Sequence, residues 1–150
     1  MKTYKIAIVG ATGLVGRTAL KILEEKKLCN FEYTLFSSSK SAGTTLNFFN
    51  KNYIVQELKD DSFDIGFNFA IFSAGSETSQ HFAPIAASKG CIIIDNSNAF
   101  RMDDDVPLIV PEVNFQDILT HHNIIANPNC STIQAVVALK PLDDNFKIKR

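Results

Sequence analysis

The sequence predicts an α/β protein: a Rossmann-like, doubly wound, mainly parallel sheet with helices on both faces. Three observations carry that expectation. The strand-like segments are short, continuous Val/Ile-rich runs; longer helical patterns alternate with them; and polar or glycine-rich segments follow the runs. Strands buried on both faces lose polar alternation, and alternating β and α segments build parallel sheets.

Each element follows from its pattern. Residues 6–9 (IAIV) form an apolar run ending at Gly10 and read as a first strand. Residues 14–27 read as a helix with Val15, Ala19, Ile22 and Leu23 on one face. Residues 31–36 read as a second strand, followed by the polar loop 37–43 (SSSKSAG). Residues 44–49 and 53–58 read as two short strands around the turn Asn50-Lys51-Asn52. Residues 65–72 form a strongly apolar strand ending in Ser73-Ala74-Gly75. A helix is expected over 77–89, with Ser76 as N-cap, Gly90 as stop, and a kink or late start at Pro84. Residues 91–94 form another buried strand, closed by Asp95-Asn96-Ser97; residues 108–110 and 123–126 read as further strands. Pro128-Asn129-Cys130-Ser131 then opens a helix expected over 132–139.

Composition narrows the function classes. The chain has 150 residues, 15 Lys+Arg against 16 Asp+Glu, a net charge of -1 and 45% hydrophobic residues. That length suits one domain, and the charge balance offers no basic excess for nucleic acid. No apolar run is long enough to span a bilayer, and the N-terminus does not read as a signal peptide, so a cytoplasmic protein is expected. Cys29, Cys91 and Cys130 form neither a disulfide framework nor a metal-ligand spacing, and His121-His122 reads as a solvated loop; no metal site is expected.

In parallel sheets ligands bind at the carboxyl ends of the strands. Five polar segments fall there: GATGLVG, SSSKSAG, SAGSETS, DNSNAFR and NPNCST. The first, residues 10–16, has Gly-x-x-Gly-x-x-Gly spacing between a strand and a helix. Glycine permits the tight turn and the close approach of backbone N–H groups to a pyrophosphate, which the helix dipole also favours. At the end of the second strand an NAD site usually places a carboxylate for the ribose 2′-hydroxyl. Here three serines and Lys40 stand instead, so NADP is expected over NAD, although 37–41 also reads as a solvated loop.

Cys130 precedes an amphipathic helical pattern, where the helix dipole stabilises the thiolate that a nucleophile requires. Beside a nicotinamide, such a thiolate suits aldehyde chemistry through a thioester. Cys91, at the start of a buried strand, reads as a small hydrophobe.

In this order, GATGLVG, SSSKSAG, DNSNAFRMDDDVPLIVPEVN and NPNCSTIQ resemble the N-terminal half of the aspartate-β-semialdehyde dehydrogenases, from about residue 5 to the end of the chain. The resemblance implies reductive dephosphorylation of β-aspartyl phosphate to aspartate β-semialdehyde with NADPH, in the biosynthesis of lysine, methionine and threonine. It implies Cys130 as the nucleophile, Arg101 as the phosphate-binding arginine and Asn129 as a substrate-orienting residue. It also implies a cofactor site from Gly10, Thr12, Gly13, Leu14 and Val15, from Ser38, Lys40 and Ser41, and from Ser73, Ala74 and Gly75. Read from residues alone, Arg101 pairs more readily with the acidic run Asp103-Asp104-Asp105 at the surface than with a phosphate.

Chains of this family are more than twice as long and homodimeric. Residues 1–150 are therefore expected to be a dinucleotide-binding domain ending near the start of a C-terminal catalytic and dimerisation domain. That domain would carry the acid/base residues, and the 150-residue chain alone is expected to be inactive and monomeric. Two other readings are an N-acetyl-glutamyl-phosphate reductase and a stand-alone dinucleotide-binding module.

Overall fold

The computed structural model describes residues 3–149. Six parallel strands form the central sheet: β1 (Tyr4–Val9), β2 (Phe31–Ser37), β5 (Gln56–Glu57), β6 (Phe69–Phe72), β7 (Ile92–Asp95) and β8 (Ile124–Ala126), in the order β5-β2-β1-β6-β7-β8. A separate antiparallel hairpin comprises β3 (Thr45–Phe48) and β4 (Lys51–Ile54). The helices are α1 (Leu14–Glu25), α2 (Ser76–Ser88), α3 (Pro111–Asn114) and α4 (Cys130–Phe146), with a 3-10 helix at Phe115–Thr120.

β1 displays the doubly wound logic. Ala7 and Val9 join one buried cluster with Phe36, Phe63, Phe72, Ala83 and Ile93. Ile6 and Ile8 join the other with Leu20, Tyr33, Leu35, Phe48 and Val55. Successive side chains of a strand point to opposite faces, so α2 covers one face while α1 and the hairpin cover the other. The chain winds outward from β1 through β2 to β5, then returns to β6 on the other side of β1. Strand order therefore reverses between β1 and β6, the switch point at which such sheets open a crevice.

Several expectations change. The helical face over 14–27 is rotated: Gly16 and Leu20 are buried, while Val15 and Ile22 are about half exposed. The strand expected over 65–72 shrinks to β6. Turns closed by Asp64 N–H to Asp61 and Gly66 N–H to Phe63 precede it, and Phe63 and Phe67 fold into the core instead. The expected turn at 50–52 sits at Phe49 and Asn50, both at positive φ, so Phe48 pairs with Lys51. The strand expected over 53–58 divides: β4 stays in the hairpin, whereas Gln56 and Glu57 join the main sheet beside Phe36 and Ser37.

Ser76 is not an N-cap; it is the first residue of α2, and Gly75 at φ +91 precedes it as the cap. Its hydroxyl instead donates to Asn98 Oδ1. Pro84 neither delays nor ends α2. It is exposed, and so is Gln80, whose carbonyl loses its helical partner at Pro84. Residues 108–110 contribute one bridge, Leu108 to Ala126, rather than a strand. The last helix begins earlier and runs farther than 132–139, through Pro141 to Phe146.

Candidate functional site

A cleft of about 530 Å³ opens at the carboxyl edge of the sheet, over the switch point. The ends of β1 and β6 are drawn together there: Ser73 donates to the Val9 carbonyl through both its N–H and its hydroxyl, each at 2.9 Å. A Cβ on Gly10 would stand 2.7 Å from the Ser73 carbonyl oxygen, so this crossing requires glycine. Gly10 is also at φ +83, which L side chains rarely adopt.

The glycine loop divides its labour in a way the spacing alone does not reveal. The N–H groups of Gly10 and Ala11 both bond to the Phe36 carbonyl, at 2.9 and 3.0 Å, and that of Gly13 bonds to the Gly10 carbonyl at 3.0 Å. Thr12, Leu14 and Val15 are left with N–H groups that have no main-chain partner among the described residues. Those donors, at the positive end of α1, are the ones suited to an anion. Arg17 reinforces the turn from below, its Nε donating to the Thr12 carbonyl at 3.0 Å.

Of the residues expected around a cofactor, the cleft is lined by Gly10, Thr12, Gly13, Ser38, Ser73 and Ala74. Lys40 and Ser41 lie beyond the lining, on a turn closed by Ser41 N–H to the Ser38 carbonyl at 3.0 Å. Leu14, Val15 and Gly75 are exposed and also outside it. Thr78 and Phe82, one turn apart on α2, complete the wall together with Glu57 and Leu58. The i, i+4 spacing of Thr78 and Phe82 was the only sequence signal for this wall. Glu57 and Leu58 were hidden inside a segment that reads as one strand.

A second group lies at the ends of β7 and β8. Asn129 has extended φ/ψ and caps α4: its Oδ1 accepts from Ser131 N–H at 3.0 Å and from Ser131 Oγ at 2.6 Å. Cys130 is thus the first helical residue, and its thiol is exposed. Asn129 Nδ2 has no protein partner among the described residues. Arg101 does not pair with the acidic run that follows it. Its Nε donates to the Asn127 carbonyl at 2.9 Å and its Nη2 to the Asn96 carbonyl at 3.1 Å. Nη1 has no partner among the described residues.

Beneath Arg101 lies a polar network that the sequence did not reveal. Asn127 Nδ2 donates to Asn96 Oδ1 at 2.6 Å, and Asn127 N–H donates to the Asp95 carbonyl. Asp95 is fully buried; its carboxylate accepts from Ser79 Oγ at 2.6 Å, Ser97 Oγ at 2.6 Å and Ser97 N–H at 3.2 Å. Buried polar groups persist when satisfied in this way.

The other titratable groups stand apart. Burial pushes the Cys91 thiol up to about 12, which makes it inert. His81 bonds to Asp60 at 2.7 Å, and His121 accepts from Asn123 N–H. Among the described residues no group of three His, Cys, Asp or Glu could hold a metal ion.

Residues 5–121 match the family described as semialdehyde dehydrogenase, NAD binding domain. The chain belongs to the semialdehyde dehydrogenase family. Among relatives, it is 53% identical over 149 residues to an aspartate-semialdehyde dehydrogenase of Aquifex aeolicus, covering 98% of this chain and 44% of that protein. Among solved structures it superposes on aspartate semialdehyde dehydrogenase II of Vibrio cholerae, complexed with ASA, with a TM-score of 0.89 at 45% identity, covering 99% and 49% of the two chains. The Candida albicans enzyme with NADP gives 0.77 at 25% identity, covering 98% and 48%. The chain therefore spans about half the length of the semialdehyde dehydrogenases it matches. Among the described residues, no helix is long and apolar enough to cross a membrane.

Proposed function

We propose that this chain is the NADP-binding part of an aspartate-semialdehyde dehydrogenase, which converts β-aspartyl phosphate to aspartate β-semialdehyde, and that residues 1–150 form its dinucleotide-binding domain. The observation that carries this reading is the placement of Cys130. A helix capped by Asn129 sets its exposed thiol on the sheet edge that also opens the glycine-lined cleft. The relatives' names favour this substrate over N-acetyl-glutamyl phosphate.

The cleft fits the cofactor on its own geometry. Its loops approach so closely at Gly10 and Ser73 that a Cβ would clash, and unpartnered N–H groups end α1 beside it. Thr12, Leu14 and Val15 would hold the pyrophosphate through their main chain, with Gly10 and Gly13 allowing the approach. Ser38, Lys40 and Ser41 would face the 2′-phosphate from the rim turn, while Ser73, Ala74 and Gly75 border the far wall. NADPH bound there would supply the hydride that reduces an acyl thioester to the aldehyde.

The remaining chemistry belongs to the chain. The Cys130 thiolate attacks the acyl-phosphate carbonyl; a C–S bond forms, the C–O bond to phosphate breaks, and phosphate leaves. Arg101 is held by two main-chain carbonyls, which leaves Nη1 for a phosphate oxygen. Asn129 uses Oδ1 for the cap and keeps Nδ2 for the substrate. None of His81, His121 and His122 lines the cleft; an acid/base group is worth about 10²–10⁴-fold in such reactions, so the chain alone turns over far more slowly than an enzyme that has one. It is cytoplasmic and monomeric by itself.

Parallel titrations with NADPH and NADH, followed by nicotinamide fluorescence, test the cofactor reading. Tighter binding of NADPH is expected. Equal or tighter binding of NADH, or no binding of either, overturns it.

A further inference from the structure

Glu57 lines the cleft, and the proposed cofactor contacts give it no part. Its place is fixed by main-chain pairing. Glu57 is in register with Ser37 in the parallel β2–β5 pair, and Leu58 N–H donates to the Ser37 carbonyl at 2.9 Å. This sets a carboxylate beside the serine turn on which a 2′-phosphate would rest. Such a carboxylate would repel that phosphate. Lys59 Nζ lies 3.2 Å from Glu57 Oε2 and offsets the charge. The Lys59 main chain is itself held, its N–H donating to Ser62 Oγ at 2.8 Å.

Next to Glu57 the lining becomes apolar, with Leu58, Phe82 and Ala74. Such walls suit a flat ring, and an ionised carboxylate only accepts hydrogen bonds. A donor on the ring is what the pair of features would recognise. Adenine carries one in its exocyclic amine.

We infer that Glu57 is a specificity residue of this cleft: its carboxylate accepts from the exocyclic amine of adenine, and Lys59 neutralises it so that a 2′-phosphate is tolerated. This rests on the cofactor reading above. Lys40 supplies positive charge on one side of the phosphate, and the Glu57–Lys59 pair leaves the other side neutral. The device explains how a carboxylate and a phosphate site can share one rim.

The test compares NADPH, NADH and the hypoxanthine analogue of NADPH, in which a ring carbonyl replaces the amine. Each is titrated into the wild-type chain and into E57Q and K59M, with circular dichroism confirming that all three proteins fold alike. The wild type is expected to bind NADPH about tenfold more tightly than the analogue, the effect of one hydrogen bond to a charged group. E57Q should bring that ratio near one, because an amide can donate to the carbonyl. K59M should weaken NADPH more than NADH, since an unpaired carboxylate then faces the phosphate. A ratio unchanged in E57Q overturns the inference. So does E57Q strengthening NADPH over NADH while leaving the analogue ratio alone, which would make Glu57 purely repulsive. If the wild type binds no dinucleotide, the cofactor reading itself fails and takes the inference with it.

Discussion

Replacing Gly16 with alanine separates the two uses of glycine in the loop. Gly16 is buried on the first turn of α1. A Cβ there would lie 2.1 Å from the Gly10 carbonyl oxygen, 2.8 Å from its carbon and 2.9 Å from Ala11 Cα. All three are backbone atoms, and the loop that carries them is pinned by two hydrogen bonds to the Phe36 carbonyl. The helix must therefore move outward by roughly 1 Å, and overpacking of this kind costs about 3 kcal/mol. Alanine returns about 1 kcal/mol of helix propensity, leaving a net loss near 2 kcal/mol. For a chain of this length that lowers the melting temperature by about 4–8 °C. Urea titration and thermal melting followed by circular dichroism measure it. The contrast is Gly13→Ala. Its φ of −75° suits any residue, and its Cβ would meet only the Gly10 oxygen, at 3.4 Å. G13A should change stability by no more than about 0.5 kcal/mol and weaken NADPH instead, because Gly13 lines the cleft. A G16A chain as stable as the wild type, or equal destabilisation by the two variants, would refute the packing argument.

Three further outcomes are expected. D95A strands the hydroxyls of Ser79 and Ser97 in the core, and urea denaturation should register a loss of about 3 kcal/mol; D95N, which keeps an acceptor, should lose less. Iodoacetamide should modify exposed Cys29 and Cys130 in the native chain but reach Cys91 only in denaturant, as peptide mass mapping would reveal. Stability should fall in alkali: Cys91 is pushed up to about 12 by burial, and Tyr33 to about 12 by burial with help from Tyr53 and Cys29. The folded chain holds both protons more tightly than the unfolded one, so this contribution is complete below the ordinary thiol value of 9.0 and is lost as pH rises toward 12, which pH-dependent melting would detect.

Much of the fold was legible because burial leaves a local mark. The strands at 6–9 and 91–94 are continuous apolar runs, the one at 31–36 is apolar except at Glu32 and Thr34, and each is found within a residue or two of its expected place. Gly90 ends α2 at φ +80 as anticipated. Errors arose where apolar residues do not signal a strand. Phe67 is apolar because the turn before β6 delivers it to the core beside Phe63, so the strand before Ser73 reads too long. Val15 and Ile22 are apolar but about half exposed, which misplaced the buried face of α1.

The candidate site divides along the same line. Sequence alone determined which residue types meet at the carboxyl edge, because loops that follow parallel strands must emerge on one side of the sheet. It thereby located the glycine loop, Ser38, Ser73, Arg101, Asn129 and Cys130. Tertiary structure decided what each atom is left to do. It engaged the Gly10 and Ala11 N–H groups with Phe36 and bound Arg101 to two carbonyls rather than to its acidic neighbours. It buried Asp95 beneath them and carried Glu57 into the cleft from a strand that changes sheets. Hydrogen-bond partners dozens of residues apart are fixed only when the sheet closes, because a local pattern encodes which face is buried but not which distant group will meet it.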